Sequence, residues 1–345
     1  MSRTLIAAAV QMRAEPALVA ERLLRATALI EKAAGKGAQL VVLPEVFNTG
    51  YEYSPANFQR AEQFDGESVT WMKSTAARLG VHVAGSLLLC DRGELYNSML
   101  LVSPEGRTWR YDKNYPWMWE RAYFRPGQGV TIADTDLGKF GLLVCWDVAH
   151  IKLWAAYAGQ VQAMLVSSCP PKVFDLTLIL PDGKRLNNQK DAWFMRPVLR
   201  NAPDTFGKLL KRQVTSLCVP AVCSSACGRF SSTVPAPALT LAPYFLALPR
   251  LWQHQRQAAS IHFESGFFEE TYICDAAGRA LNQAEPGVES FALAQIDLPA
   301  GPPHTREKRP AFGLPPFPYW MDAVTNLLLR NTYKRYKNLL YSEKS

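Results

Sequence analysis

Buried-strand and amphipathic-helix patterns alternate along this chain as far as Pro171, and that alternation limits the fold more than any other feature. "LIAAAVQM", "AQLVVLPEVF", "VHVAGSLLLC", "FGLLVCWD" and "VQAMLVSSCPP" are nearly continuous apolar runs. Such runs suit strands of a sheet covered on both faces, because each successive side chain must then be buried. Between them, "PALVAERLLRATALIEKAAGKG" and "GESVTWMKSTAARLG" place apolar residues at helical spacing and end on glycine. "IKLWAAYAGQ" reads as a further helix, and "LYNSMLLVSPEGRTWRYDK" as two strands around an "SPEG" turn. The pattern predicts a layered α/β fold, in which reactive residues tend to sit at strand ends. No internal repeat is visible.

Beyond Pro171 the pattern loosens. "TFGKLLKRQVTSL" reads as a helix and "CVPAVCSSACG" as a strand. "FSSTVPAPALTLAPYFLALP", residues 230–249, carries no charge and has the length of a membrane span. Its prolines, Pro235, Pro237, Pro243 and Pro249, interrupt any continuous helix, so it reads as a hydrophobic lid or a surface covered by a partner or bilayer interface. "GFFEETYICDAAGRALNQA" and "ESFALAQIDL" read as two closing strands joined by an "AAG" turn. The 345 residues suffice for one large domain or two small ones.

Three strand ends carry reactive groups. Glu45 closes "LVVLPE", Lys113 closes "RTWRYDK" and Cys145 closes "FGLLVC", at separations of 68 and 32 residues. Burying an unpaired charge is costly, so charged residues at the ends of buried strands stand out. From its local sequence Cys145 is a packed core thiol, a metal ligand or a nucleophile. Brought together, the carboxylate can take the thiol proton, while the ammonium favours thiolate and stabilises an oxyanion. Charged strand ends that merely meet solvent would show the same spacing.

The segments "LVVLPEVFNTGY", "YDKNYPWMWERAYFRPG" and "GLLVCWDVAH", in this order, resemble the nitrilase or carbon–nitrogen hydrolase superfamily. The likeness continues through "AMLVSSCPP", "VPAVCSSACG" and "TYICDAAGRALNQAEPGVESFALAQIDL", covering most of residues 4–298. Two stretches, about 171–205 and 229–263, fall outside it as insertions. The resemblance implies a four-layer α-β-β-α sandwich over residues 1–300, followed by a basic C-terminal extension, 301–345. It implies Glu45 as general base, Lys113 as stabiliser of the tetrahedral intermediate, Cys145 as nucleophile and Glu120 as a second, orienting glutamate. It also implies that the backbone nitrogen of Trp146 binds the oxyanion or presents substrate, that protomers pair into homo-oligomers, and that no metal or organic cofactor is used. The expected activity is amidase-like hydrolysis of a linear amide through an acyl-thioester. Transfer of the acyl group to an amine, nitrile hydrolysis and a non-catalytic binding role are the alternatives.

Other residues bear on the substrate. "YPWMW" lies between Lys113 and Glu120, so Tyr115 and Trp117, together with Trp146, are expected to border a pocket for an apolar or aromatic acyl group. By the same resemblance, the strand end with Ser168 and Cys169 contributes to the substrate pocket. His150 reads as a helix-start or surface histidine, and Cys218, Cys223 and Cys227 as core thiols, their spacing matching no familiar zinc pattern. Ser224 and Ser225 occupy a segment where the family often carries asparagine, and Asp147 is more usual in amidase-like branches.

The net charge of +8 is uneven: from Gly301 onward eight Lys or Arg face three acids, giving this tail +5. The tail reads as an amphipathic basic helix that packs on its own or a neighbouring protomer, with peripheral contact to an anionic membrane as the sharper reading. No nucleic-acid module is present. The opening apolar run of six residues is too short for a signal-peptide core, and seven cysteines suit reduced thiols, so a cytoplasmic location is expected.

Overall fold

The computed structural model describes residues 3–195, 204–303 and 313–342. Up to Ser168 the strands are β1 (Arg3–Arg13), β2 (Leu40–Val42), β3 (His82–Asp91), β4 (Glu94–Val102), β5 (Thr108–Asp112), β6 (Ile132–Asp134), β7 (Lys139–Val144) and β8 (Ala163–Ser168). Then follow β9 (Thr177–Ile179), β10 (Arg185–Asn187), β11 (Ala221–Cys227), β12 (Arg229–Ser232), β13 (His262–Gly266), β14 (Tyr272–Cys274), β15 (Ala280–Gln283) and β16 (Ser290–Leu298). The helices that position the site are α1 (Val19–Ala34), α2 (Glu67–Leu79), α3 (Ile151–Tyr157), α4 (Leu210–Leu217) and α5 (Pro316–Ser342).

One sheet runs β5-β4-β3-β2-β1, with β16 antiparallel along the other side of β1. A second runs β6-β7-β8-β11, extended by β14 and β15. The end of β1 joins them by pairing Met12 and Arg13 with Ala226 and Cys227 of β11. Strand β1 shows why its run is apolar at nearly every position. Ala7 and Ala9 pack in the core between the sheets, whereas Ala8, Val10 and Met12 face Leu23 and Ile30 of α1 and Met72 and Ala76 of α2. On the far side of the second sheet, Gly141 of β7 abuts Tyr157 of α3, and Leu210, Val214 and Leu217 of α4 complete that layer. The layers are therefore α-β-β-α, as the family resemblance implies.

Two segments differ from the reading of the sequence. The "AAG" turn joins β14 to β15, not to the last strand; "ESFALAQIDL" is a third strand that pairs with β1 from Arg3↔Leu298 to Gln11↔Ser290. Local turn chemistry marks a hairpin but leaves the destination of the next strand open. Strand β2 stops at Val42, since Pro44 has no N–H to continue the ladder.

The two insertions meet. β9 and β10 come from the first and β12 from the second, and with β13, which begins at the second's end, they form one antiparallel sheet, β10-β9-β13-β12. The uncharged stretch breaks at its prolines into two short helices, Pro237–Thr240 and Ala242–Ala247, whose Leu241, Tyr244 and Phe245 join Leu178, Leu186 and Phe263 in a second core. Among the described residues no helix is long and apolar enough to cross a membrane. Helix α5 returns over the body: Leu329 and Tyr333 are buried, Tyr333 hydroxyl donates to Glu94 (2.6 Å) and Lys337 pairs with Glu94 at 2.9 Å. Its outward face exposes Trp320 and Leu327.

Candidate active site

Glu45, Lys113 and Cys145 follow β2, β5 and β7 and converge at one end of the sandwich. Lys113 Nζ donates to Glu45 Oε1 and to Glu120 Oε2, each at 2.7 Å, and all three side chains are fully withdrawn from solvent. Asn97 Nδ2 donates to Glu45 Oε1 at 2.8 Å, and the Asn97 carbonyl accepts from Lys113 N (2.9 Å). Glu120 is held on both oxygens, by Tyr51 hydroxyl on Oε1 and by Trp117 N on Oε2, both at 2.7 Å. Gly127, the glycine of "FRPG", crosses the Lys113 segment so closely that a Cβ there would lie 2.2 Å from the Asp112 carbonyl oxygen. Its N–H donates to Lys113 O at 2.8 Å.

Left-handed backbone at non-glycine residues marks each arm of this cluster. Val46 beside Glu45 has φ 45°, Met118 in the Met118–Ala122 turn has φ 33°, and Cys145 itself has φ 48°. Each such conformation costs about 1–3 kcal/mol and persists only where surrounding contacts enforce it. At Cys145 the enforcing group is Asp147: its Oδ2 accepts from Val144 N (3.3 Å) and Tyr111 hydroxyl (2.8 Å), and its Oδ1 from Tyr115 N (2.9 Å). Burial pushes the Asp147 carboxyl up to about 7.

The electrostatics pull in opposite directions. Burial raises the proton affinity of Glu45, and Glu120 adds to the rise, while Lys113 opposes it. Burial and the neighbouring Glu45 carboxylate push the Cys145 thiol well above its ordinary value; Lys113 and the Cys169 backbone N–H work the other way. The two carboxylates hold Lys113 well above the usual ammonium range despite its burial. The arrangement is a protonated lysine between two carboxylates, beside a thiol whose proton has a basic carboxylate next to it. Glu45 Oε2 is buried and has no hydrogen-bond partner among the described residues.

Cys145 opens onto a cavity at the end of the sandwich. Trp117, Trp146, Phe206 and Phe268 line it with Pro171 and Val173 of the first insertion. Leu314, Pro318 and Met321 of the C-terminal arm complete the wall. Among the described residues no charged side chain lines it. Of the expected substrate contacts, Trp117 and Trp146 reach this wall, whereas Tyr115 and Ser168 do not. The Tyr115 ring stacks on His150 at 3.5 Å, and Ser168 hydroxyl donates to Ser224 O (3.0 Å), while Ser168 O accepts from Glu45 N (3.3 Å). Ser168 therefore positions the Glu45 backbone. Ser224 hydroxyl donates to Val10 O, and Ser225 N donates to Thr271 Oγ1.

His150 stands at the start of α3, as expected, and is packed between Tyr115, Trp146 and Tyr319; burial, with Arg121, lowers it to about 3, so it is a neutral wall behind the site rather than a surface group. Cys223 and Cys227 are buried in β11, and Cys218 caps α4. Among the described residues no cluster of three His, Cys, Asp or Glu could hold a metal ion. Asn97 and Tyr51 are missing from the reading of the sequence. Asn97 left a signal, a lone amide inside the apolar run "LYNSMLLV"; Tyr51 left none.

The profile of the carbon–nitrogen hydrolase family matches residues 6–184. A nitrilase of Pyrococcus abyssi is 35% identical over 127 residues, covering 36% of this chain and 48% of the relative. The omega-amidase NIT2 of Danio rerio is 31% identical over 188 residues, covering 49% of this chain and 66% of the relative. The match thus spans about half to two thirds of the length of these curated relatives. In fold, the chain superposes on an amidase from Nesterenkonia sp. with a TM-score of 0.60 at 20% identity, over 86% of this chain and 91% of the other. Nit3 of Saccharomyces cerevisiae, a nitrilase-superfamily member, gives 0.59 at 18% identity, over 86% and 90%.

Proposed function

Because the chain belongs to the carbon–nitrogen hydrolase family, we propose that it hydrolyses a non-peptide linear amide with an apolar or aromatic acyl group, through a thioester on Cys145. The observation that carries this reading is the buried Glu45–Lys113–Glu120 cluster beside a thiol that opens onto an apolar cavity. A fully desolvated ammonium and two carboxylates are expensive to bury, and a packing role for Cys145 requires none of them. The relatives' names, an omega-amidase and an amidase, agree with the reaction class.

Glu45 takes the Cys145 proton as the sulfur attacks the amide carbonyl carbon, and the carbonyl π electrons move onto oxygen. Lys113 and the Trp146 backbone N–H stabilise that oxyanion. When the C–N bond breaks, Glu45 returns its proton to the leaving nitrogen, so ammonia or an amine departs and the thioester remains. Water then attacks the thioester, Glu45 again accepting the proton, and the C–S bond breaks to release the acid and the thiol. The raised proton affinity of Glu45 suits a group that must gain and lose a proton in each half-reaction. Glu120 orients Lys113. Within this reading the protein acts as a homo-oligomer, as the family resemblance implies.

Intact-protein mass spectrometry with a panel of amides, with Cys145→Ala as control, tests the proposal. An acyl adduct on the native chain, absent from the control and discharged by water to the acid, supports it. Turnover undiminished in Cys145→Ala would overturn it. Discharge only to an added amine would make the protein an acyltransferase.

A further inference from the structure

The geometry points to Asp322, on the C-terminal helix α5, as a positioning residue that holds the turn carrying Glu120 and thereby the lysine of the reactive cluster. This inference rests on the proposed role of the Glu45–Lys113–Cys145 cluster, but concerns a residue and a segment outside the family match, which ends at residue 184.

The turn Met118–Ala122 is gripped from two sides. From inside, Glu120 Oε2 accepts from Trp117 N and from Lys113 Nζ. From outside, Asp322 Oδ1 accepts from Met118 N at 2.9 Å, and Asp322 Oδ2 accepts from Arg121 Nη2 at 2.6 Å. Asp322 is itself 5% exposed. The two anchor points flank Glu120 on both sides in sequence. Met118 is also the residue forced into left-handed backbone, a conformation that a methionine leaves readily unless it is tied. The Asp322 carboxylate supplies that tie with a charge-assisted bond to a backbone N–H, and the ion pair with Arg121 is shielded from solvent, where such pairs are strongest.

The same helix does more than hold the turn. Pro318 and Met321, adjacent to Asp322, line the cavity beside Trp117 and Met118. Farther along, Tyr333 hydroxyl accepts from Leu95 N (3.1 Å) and donates to Glu94, fastening α5 to the start of β4. The helix thus has one anchor at the Met118–Ala122 turn and another at the start of β4. Release of the first lets the Met118–Ala122 turn relax, and Glu120 and Lys113 follow because they share Oε2. Displacements of about 1 Å at such a site cost on the order of a hundredfold in rate.

The experiment compares full-length Asp322→Ala, Asp322→Asn and Tyr333→Phe with the native protein. Two quantities are read: kcat and KM on the amide found above, and the pH-rate profile of Cys145 alkylation by iodoacetamide, which needs no known substrate. Asp322→Ala should lower kcat about ten- to hundredfold with KM changed less, and should move the alkylation profile to higher pH as Lys113 loses its fixed place. Asp322→Asn keeps an acceptor for Met118 N and should recover part of both effects. Tyr333→Phe should lower Tm while leaving the profile in place. A native profile in Asp322→Ala, or an equal shift in Tyr333→Phe, would overturn the inference. Native protein whose alkylation is no faster than that of Cys145→Ala would instead sink the proposed function, which keeps the two failures distinct.

Discussion

Lys113 Nζ lies 2.7 Å from Glu45 Oε1, although 68 residues separate them and neither side chain reaches solvent. Such a pair does not add to stability as an exposed one would; it is retained at a desolvation cost. Removing one partner then leaves a bare charge inside the protein.

Lys113→Met therefore has two expected outcomes. Hydrolysis should fall about 100- to 1,000-fold, the loss typical of one oxyanion donor. Stability should fall by about 3–5 kcal/mol, as for other broken buried pairs. Denaturant titration alongside kcat separates the two, and an active, fully stable variant would contradict the assigned role.

Trp117→Ala should discriminate by acyl size. Trp117 lines the cavity and meets Trp146 at 6.4 Å between ring centroids, so its loss removes wall from one side of the acyl group. Amides of bulky apolar acids should lose about tenfold or more in kcat/KM, corresponding to a couple of kcal/mol of buried apolar surface. Acetamide-sized substrates should change little. Parallel losses for both would show that Trp117 supports the fold rather than the acyl group.

Gly127→Ala should disturb the reactive lysine from outside the cavity. The new methyl would meet the Asp112 carbonyl oxygen and carbon, backbone atoms that cannot rotate away. Both kcat and Tm should drop, and the variant should resemble Lys113→Met in activity. A native kcat would mean that the crossing chain yields without moving Lys113.

His150→Phe should flatten the acid limb of the stability curve. His150 is lowered from 6.5 to about 3, chiefly by burial. Below its unfolded value the unfolded chain takes up a proton that the folded chain refuses, so the native protein loses stability as pH falls from 6.5 towards 3. At about 1.4 kcal/mol per pKa unit this reaches roughly 2–3 kcal/mol near pH 4.5. Phenylalanine keeps the stack on Tyr115 and removes the titration. Identical pH dependence in the two proteins, followed by chemical denaturation, would exclude His150 as the source.

Much of the site was readable in the sequence because buried charge is so rarely tolerated. Glu45 and Lys113 stood out at the ends of apolar strands, and the resemblance joined them to Cys145 and Glu120. Asp147 and Ser168 were read less well. Their work is to bind backbone groups of the site, and a hydrogen bond to a distant peptide has no signature in residue type or spacing.

The layered α/β arrangement was legible in the residues: runs apolar at every position must be covered on both faces, and helical spacing supplies the cover. So were the strand ends that carry reactive groups. The folded chain was needed to show that two insertions separated by residues 206–228 pair into one sheet, and that "ESFALAQIDL" returns to β1. It alone placed Leu314, Pro318 and Met321 on the cavity and Asp322 on the Glu120 turn. The reason is physical. Periodicity fixes which face of an element is buried, because that depends on local geometry, but the surface against which the face packs depends on the rest of the folded chain.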